Sequence, residues 1–431
     1  NSMLDIKFIR ENVSAVKKAT KQKGLKFNVE DLIAVDEKRR ELIQKSESIR
    51  AEQKKTQDRE KATALKVEFK NLESQLGLVE KEFMKLMVQV PNIPSEDTPI
   101  GKDENDNVEV FHSGELPKFD FEPKDHIELA KNLDLIDFER GVKVAGYRGY
   151  YLKNEGAQLA LALMMFAFNK MIAKGYQPMI PPTLVKGAAL FGSGYFKGLE
   201  YDPEVDEIYE IASQDREAGG EQSKEKKFLV GTAEPSLLAY YGNETLKEEN
   251  LPIRVAGFSQ CYRSEIGSYG KDTRGLYRVH EFMKVEQVVI TTADVAESDK
   301  LQQEMIEITR EIHADLGLPF RQIQICTGDM GLGKYKMFDT EVWLPGSKRW
   351  AETGSASNFL DWQARRLNIK YTTKDGEKKF AYLLNNTALP TPRPLIAILE
   401  NCQTKEGTIR IPEVLIPYMG GKMEIKPNPS L

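Results

Sequence analysis

The chain has 431 residues, 40% hydrophobic and 29% charged, with 31 glycines and 20 prolines. This is ordinary globular composition, enough for two or three folding units at ~150 residues each, and it excludes collagen-like, mucin-like and wholly disordered chains. The net charge of -5 hides an asymmetry: residues 1–90 hold 20 Lys+Arg against 15 Asp+Glu, so a basic N-terminal fifth precedes an acidic body.

Residues 4–22 read as a short basic helix, interrupted by Gly24. From Phe27 to Val90 there is no proline and a single glycine, Gly77. Phe69, Leu76, Phe83 and Val90 recur every seven residues, interleaved with Leu72, Val79 and Leu86, which is the alternating three-four spacing of a coiled-coil seam. Leu32, Val35, Leu42 and Ile49 continue it more weakly. The pattern predicts two antiparallel helices of ~45 Å each at ~1.5 Å per residue, with a polar tip over 56–63. Lys54, Lys55, Arg59 and Lys61 cluster there; from charge alone a solvated face or a dimerisation coil outranks contact with nucleic acid. A linker rich in proline and acidic residues follows from Pro91.

The rest predicts an α+β fold. Residues 159–173 form an apolar helix ended by Gly175; strands are expected over 253–265, 277–290, 322–327, 338–343, 349–353 and 380–385, and a closing helix over 393–401. The 159–168 run falls short of the ~18 apolar residues of a membrane span. The polar 213–227 stretch, with paired glycines, reads as a mobile loop tip. Cys261, Cys326 and Cys402 are too few and scattered for a disulfide framework or a Cys-rich zinc site, which with no apparent leader suggests the cytoplasm. Asn1-Ser2 before Met3 reads as an expression remnant.

Four histidines offer no H-E-x-x-H pair. GDMGLGK, residues 328–334, has P-loop spacing, but Tyr335 stands where a Ser or Thr must reach magnesium, so it is a decoy. The strongest constellation is CYRSEIGSYGKDTRGLYRVHEFMKVE, residues 261–286. If strands carry them, Arg263 and Glu265 point together, Arg278, His280, Phe282, Lys284 and Glu286 point together on the next strand, and the two strands present these groups towards one side. A guanidinium for phosphate, a ring to stack on and carboxylates for amines or cations suit a nucleotide. A surface hairpin laced by ion pairs is the bland alternative.

Those residues resemble the seryl-tRNA synthetases of bacteria, a family of class II aminoacyl-tRNA synthetases, over essentially the whole chain. Arg263 and Glu265 match the R-x-E of the class's second motif, with DTRGL (272–276) and RVHEF (278–282) as its loop and return strand. The helix before Gly175 and MIPP with Pro182 match the first motif, and LNNTALPTPRPLIAILEN (384–401) matches the third. The resemblance implies a tRNA-binding N-terminal domain over 1–110 with a helical arm at about 27–90. It implies a class II catalytic domain over 111–431, built on a mostly antiparallel sheet of six to seven strands. It further implies L-serine, ATP, Mg2+ and tRNA(Ser), with tRNA(Sec) a possible further substrate, and a homodimer.

Residue by residue, the implied serine site is Thr232, Ala233, Glu234, Arg263, Glu286 and Thr387. The implied ATP site is Arg263, Ser264, Glu265, Val279, Phe282, Glu352, Thr353, Gly354, Ser355 and Arg393. Glu352 and Ser355 would hold magnesium, Arg263 and Arg393 would be catalytic, and Lys54, Lys55, Arg59 and Lys61 would meet tRNA. Two other readings compete: a class II-like ligase loading an amino acid onto a carrier protein, which would lack the long arm, and a coiled-coil scaffold with a dead nucleotide site, which would need broken motifs.

Overall fold

The computed structural model describes residues 5–427 apart from 213, 214, 217, 218 and 269. The basic N-terminal segment is two helices, not one: α1 (Ile6–Glu11) and α2 (Val13–Gln22). Asn12 separates them because its side-chain amide donates to the Phe8 carbonyl at 2.9 Å and its own backbone leaves the helical region.

The arm consists of α3 (Val29–Lys55) and α4 (Arg59–Met87), ~40 and ~44 Å long at ~1.5 Å per residue. Its tip is only residues 56–58, shorter than expected, because Asp58 caps α4 by accepting from the Glu60 and Lys61 amides at 2.9 and 3.2 Å. Leu65, Val79 and Phe83 of α4 are buried, as are Leu32 and Leu42 of α3. At the root, Ile9, Val16, Val29, Leu32, Phe83 and Val90 form one cluster, and the fully buried Asp36 pairs with Arg10 at 3.2 Å and Arg39 at 3.6 Å.

The expected linker is a packed strap. Asn92 is fully buried and its amide donates to the Gly333 and Phe359 carbonyls at 3.0 and 2.8 Å. The decoy glycine loop serves the packing too, since the buried Lys23 ammonium donates to the carbonyls of Gly331, Leu332 and Lys334 at 3.1, 2.9 and 2.7 Å.

The body is built on an eight-stranded sheet: β1 (Val108–Ser113), β2 (Gln177–Met179), β3 (Ile253–Tyr262), β4 (Glu281–Thr291), β5 (Phe320–Gln324), β6 (Lys336–Leu344), β7 (Arg349–Leu360) and β8 (Tyr382–Pro390). Their spatial order is β1-β5-β6-β7-β8-β4-β3-β2, antiparallel except for the edge pair β2 and β3. Strand β1 has no counterpart among the expected strands; it is a largely exposed edge. Helices α5 (Asn154–Ala173), α6 (Glu234–Ala239), α7 (Val295–Asp315) and α8 (Pro392–Asn401) complete the framework.

Leu163 and Met171 of α5, Met305 and Ile312 of α7 and Leu395 and Ile398 of α8 bury against Val285, Val289, Leu384 and Leu389 of the sheet. Each such side chain contributes ~1.5–3 kcal/mol of burial. By length and composition α5 is apolar enough to cross a membrane, contrary to expectation, but half of it is buried in the body and Leu161, Met165 and Ile172 form an exposed stripe. On the opposite sheet face, Val288 and Ile290 pack beneath Leu237 and Leu238 of α6. Towards the start of β4 Phe282 is only half-buried. Within the expected 213–227 loop, Arg216 bridges Gln222; residues 213, 214, 217 and 218 of that loop lie outside the described residues.

Candidate active site

Strand β3 stops at Tyr262, three residues before the expected end, and β4 begins only at Glu281. Arg263 still extends the hairpin: its amide donates to the His280 carbonyl at 2.8 Å, and the His280 ring meets the Arg263 carbonyl at 2.8 Å. The chain then turns. Glu265 has φ of 56°, so Arg263 and Glu265 are not brought together by strand pleating. A non-glycine residue in the left-handed region is uncommon and leaves no mark in an R-x-E pattern. Glu265 accepts from Arg278 at 2.9 Å and Ser268 at 3.0 Å; burial pushes its carboxyl up, but these donors outweigh burial and hold it below the ordinary range. Arg278, also outside the strand, lies 3.6 Å from Asp272, which accepts from Arg349 at 2.9 Å.

Above this hairpin lies an open cavity of about 1040 Å3 bordered by Arg263, Glu265, Phe282, Glu352, Ser355 and Arg393, with Val279, Gly354 and Arg278 also on its wall. The Arg263 guanidinium lies 5.2 Å over the Phe282 ring. Arg393 sits in the first turn of α8, where the helix dipole disfavours a cation. It is held by donating to the Tyr277 carbonyl at 3.0 Å and the Glu352 carbonyl at 2.9 Å.

Two β-bulges re-aim the wall. Residue 353 is extra in the β6–β7 pairing, which brings Glu352 and Ser355, three apart, within 3.4 Å of each other. The Thr353 side chain is turned inward: it is buried, and its hydroxyl is engaged by His313 at 2.9 Å and the Thr340 carbonyl at 3.2 Å. A bulge between Val285 and Glu286, where residue 388 is extra, likewise aligns Thr387 with Glu286. Glycine at 354 lets the strands close, since a β-carbon there would lie 2.6 Å from that of Thr387. Ser264 does not border this cavity; its hydroxyl is buried and its amide donates to the Glu207 carbonyl at 3.4 Å.

A second lobe of about 670 Å3 shares Arg263, Lys284, Glu352, Ser355 and Thr387 with the first and is also bordered by Tyr195, Glu234, Glu286 and Asn385. Glu286 is buried and accepts from Lys284 at 2.8 Å and Thr387 at 3.3 Å. Glu234 has only neutral donors: Tyr195 at 2.7 Å, Gln363 at 2.6 Å and Asn385 at 2.7 Å. Burial, and then the nearby Glu286 charge, push it up to about 7. Thr232 and Ala233 are buried behind Glu234 and do not border the lobe; Thr232 accepts the Glu234 amide at 3.4 Å. Leu25, Phe27 and Gln89, from the arm's root, also border this lobe.

Sequence reasoning misses Tyr195 and Gln363, which come from remote segments, and passes over Asn385, two residues before Thr387 in the same motif, and Lys284, although it shares the 282–286 face. The arm-tip residues lie apart from both lobes. Lys61 is tied to Glu52 at 2.8 Å, while Lys54, Lys55 and Arg59 make no ion pair among the described residues.

Hard oxygen donors near Glu352 and Ser355 fit magnesium: Asp339, opposite Ser355 in register, has a buried Oδ1 with no hydrogen-bond partner among the described residues. Burial, with Glu352 beside it, pushes Asp339 well above the carboxylate range, the environment in which a divalent cation would be favoured. No cluster of three or more His, Cys, Asp or Glu fit for a metal occurs among the described residues.

The family described as "Seryl-tRNA synthetase N-terminal domain" matches residues 3–59, and "tRNA synthetase class II core domain (G, H, P, S and T)" matches residues 216–402. The serine–tRNA ligase of Treponema denticola is 39% identical over 97% of this chain and 99% of its own length. That of Deinococcus radiodurans is 40% identical over 97% and 98%. Among solved structures, seryl-tRNA synthetase from Pyrococcus horikoshii complexed with ATP superposes with a TM-score of 0.88 at 34% identity, covering 99% of this chain and 100% of that one. The cytoplasmic serine–tRNA ligase of Naegleria fowleri in complex with AMP gives 0.85 at 32%, covering 98% of each. With such identity over nearly the full length, the chain belongs to the seryl-tRNA synthetase family.

Proposed function

We propose that the two lobes are an ATP site and a serine site joined at Arg263, and that the protein activates L-serine as seryl-adenylate and transfers it to tRNA(Ser). The observation that carries this reading is the guanidinium at the junction: Arg263 borders both lobes and stacks on Phe282. Amino-acid activation joins two anions, a carboxylate and the α-phosphate, so alignment and charge neutralisation contribute more than proton transfer.

Arg263 would hold both reacting groups. Phe282 would stack on adenine and Arg393 would take the far phosphates. Glu265, already bonded to Arg278 and Ser268, keeps one oxygen for the adenine amine. In the second lobe Glu234 would take the substrate's α-ammonium, backed by Thr232 and Ala233, and Glu286 with Thr387 would read the hydroxyl. Such a pair is left unsatisfied by alanine, which is discriminated against by ~10⁴ or more at sites of this kind. Mg2+, when bound at Glu352, Ser355 and the neighbouring Asp339, supplies charge neutralisation of phosphate oxygens.

The arm's exposed Lys54, Lys55 and Arg59 would meet tRNA phosphates, with residues 1–110 as the tRNA-binding domain and 111–431 as the catalytic one. The exposed Leu161, Met165 and Ile172 stripe supports a homodimer, and the reaction would run in the cytoplasm, where tRNA is charged. Serylation of tRNA(Sec) would use the same chemistry. Charging tests the reading: labelled serine should become acid-precipitable on a tRNA(Ser) transcript with one AMP formed per ester. No ester formed from serine, ATP and Mg2+ would overturn it.

A further inference from the structure

Three carboxylates border the serine lobe, and two of them, Glu234 and Glu286, are buried, while Glu352 is exposed. Serine carries one ammonium and one hydroxyl, and either could bind either buried carboxylate. The two orientations are not equivalent, because only one turns the serine carboxylate towards Arg263. The lobe needs something that makes its acidic ends unlike.

Lys284 supplies the difference. It is buried, on the same β4 face as Phe282 and Glu286, and its ammonium lies 2.8 Å from Glu286 Oε2 and 3.5 Å from Thr387 Oγ1. Glu234 has no cation within bonding distance among the described residues; its partners are the neutral Tyr195, Gln363 and Asn385. The other charged or titratable groups bordering or acting on this cluster are Arg263, Glu352, Cys261, Tyr195, Lys26, Lys197, Lys334 and Arg366; among the described residues none of them ion-pairs with Glu286 or Glu234, and Lys284, whose charge also reaches Glu234, makes its contact with Glu286.

We propose that Lys284 is a positioning residue that sets the orientation of the amino acid: by occupying Glu286 it reserves Glu234 as the acceptor of the substrate ammonium and leaves Glu286 to accept the hydroxyl. A second ammonium is repelled from a carboxylate already holding Lys284, whereas a neutral hydroxyl is not. This rests on the reading that the lobe takes serine.

The experiment is serine-dependent pyrophosphate exchange by the full chain with Lys284→Met and Lys284→Arg. Loss of the bias lets serine bind the wrong way round, so kcat should fall by ~10-fold or more in K284M with no rise in KM for serine, since unproductive binding lowers both. K284R should recover most of the loss. A K284M protein with unchanged kcat, or with a raised KM and unaltered kcat, would overturn the proposal. Should K284M fail to fold, the wild-type protein decides: crystals with a non-hydrolysable seryl-adenylate analogue must keep the Lys284 ammonium on Glu286 and the seryl ammonium on Glu234. A Lys284 moved onto the analogue's carbonyl or phosphate oxygens would refute it. Wild-type protein without serine-dependent exchange would instead sink the serine reading itself.

Discussion

Glu234 shows how little separates a structural carboxyl from a working one. Its pKa is pushed up to about 7 from an ordinary 4.5, first by burial and then by Glu286. The folded protein therefore favours the neutral acid, and that stabilisation, fully present below pH 4.5, is lost as pH rises towards 7. The shift corresponds to ~3 kcal/mol at ~1.36 kcal/mol per unit. The melting temperature of the wild type should fall relative to Glu234→Gln between about pH 5 and 8. A constant difference across that range would show that Glu234 titrates normally. The same sign governs binding: only the anion pairs with an ammonium, so KM for serine should decrease as pH is raised from about 6 to 8. Face counting along 282–286 picks out Phe282 and Glu286 from the sequence alone, but it gives Lys284 no weight, because a lysine on a half-buried strand ordinarily snorkels to water. Only the 2.8 Å contact with Glu286 reveals its place.

Among the elements, the arm is the most legible and the site-bearing strands the least. A seven-residue repeat sums over many turns, so it locates α3 and α4 within a few residues, and the tip differs from expectation only because Asp58 acts as a cap. At the site the strands are harder to read: the expected strand runs on through Glu265 where β3 has already ended, and the bulges at residues 353 and 388 leave no trace in the pattern. Bulges insert one residue against the pleat and carry no composition signal, and they cluster where side chains must be re-aimed. For the arm itself, replacing residues 43–71 with a short glycine loop keeps the Asp36 ion pairs and the root cluster. That variant should retain serine-dependent pyrophosphate exchange within ~2-fold while kcat/KM for tRNA charging falls on the order of 10²-fold, through the removal of several phosphate contacts. Unaltered charging would remove the arm from tRNA binding. A milder variant, Lys54→Ala with Lys55→Ala and Arg59→Ala, should flatten the salt dependence of tRNA binding, by up to ~0.9 in log-log slope for each phosphate no longer neutralised.

At the scale of the molecule, residues of the body and of the arm's root, among them Leu25, Phe27 and Gln89, border the lobe that holds Glu234 and Glu286. Besides the exposed stripe on α5, Ile180 is 79% exposed. Sedimentation should give twice 48.9 kDa for the wild type, and Met165→Glu with Ile180→Glu should give the monomer. A monomeric wild type would contradict the dimer. The central claim, that one guanidinium unites two anionic reactants, is tested most directly by pyrophosphate exchange with serine, alanine and threonine in parallel, for wild type and Arg263→Ala. Exchange should depend on serine and fall by about 10³-fold or more in R263A. Robust serine-dependent exchange by R263A would contradict the account.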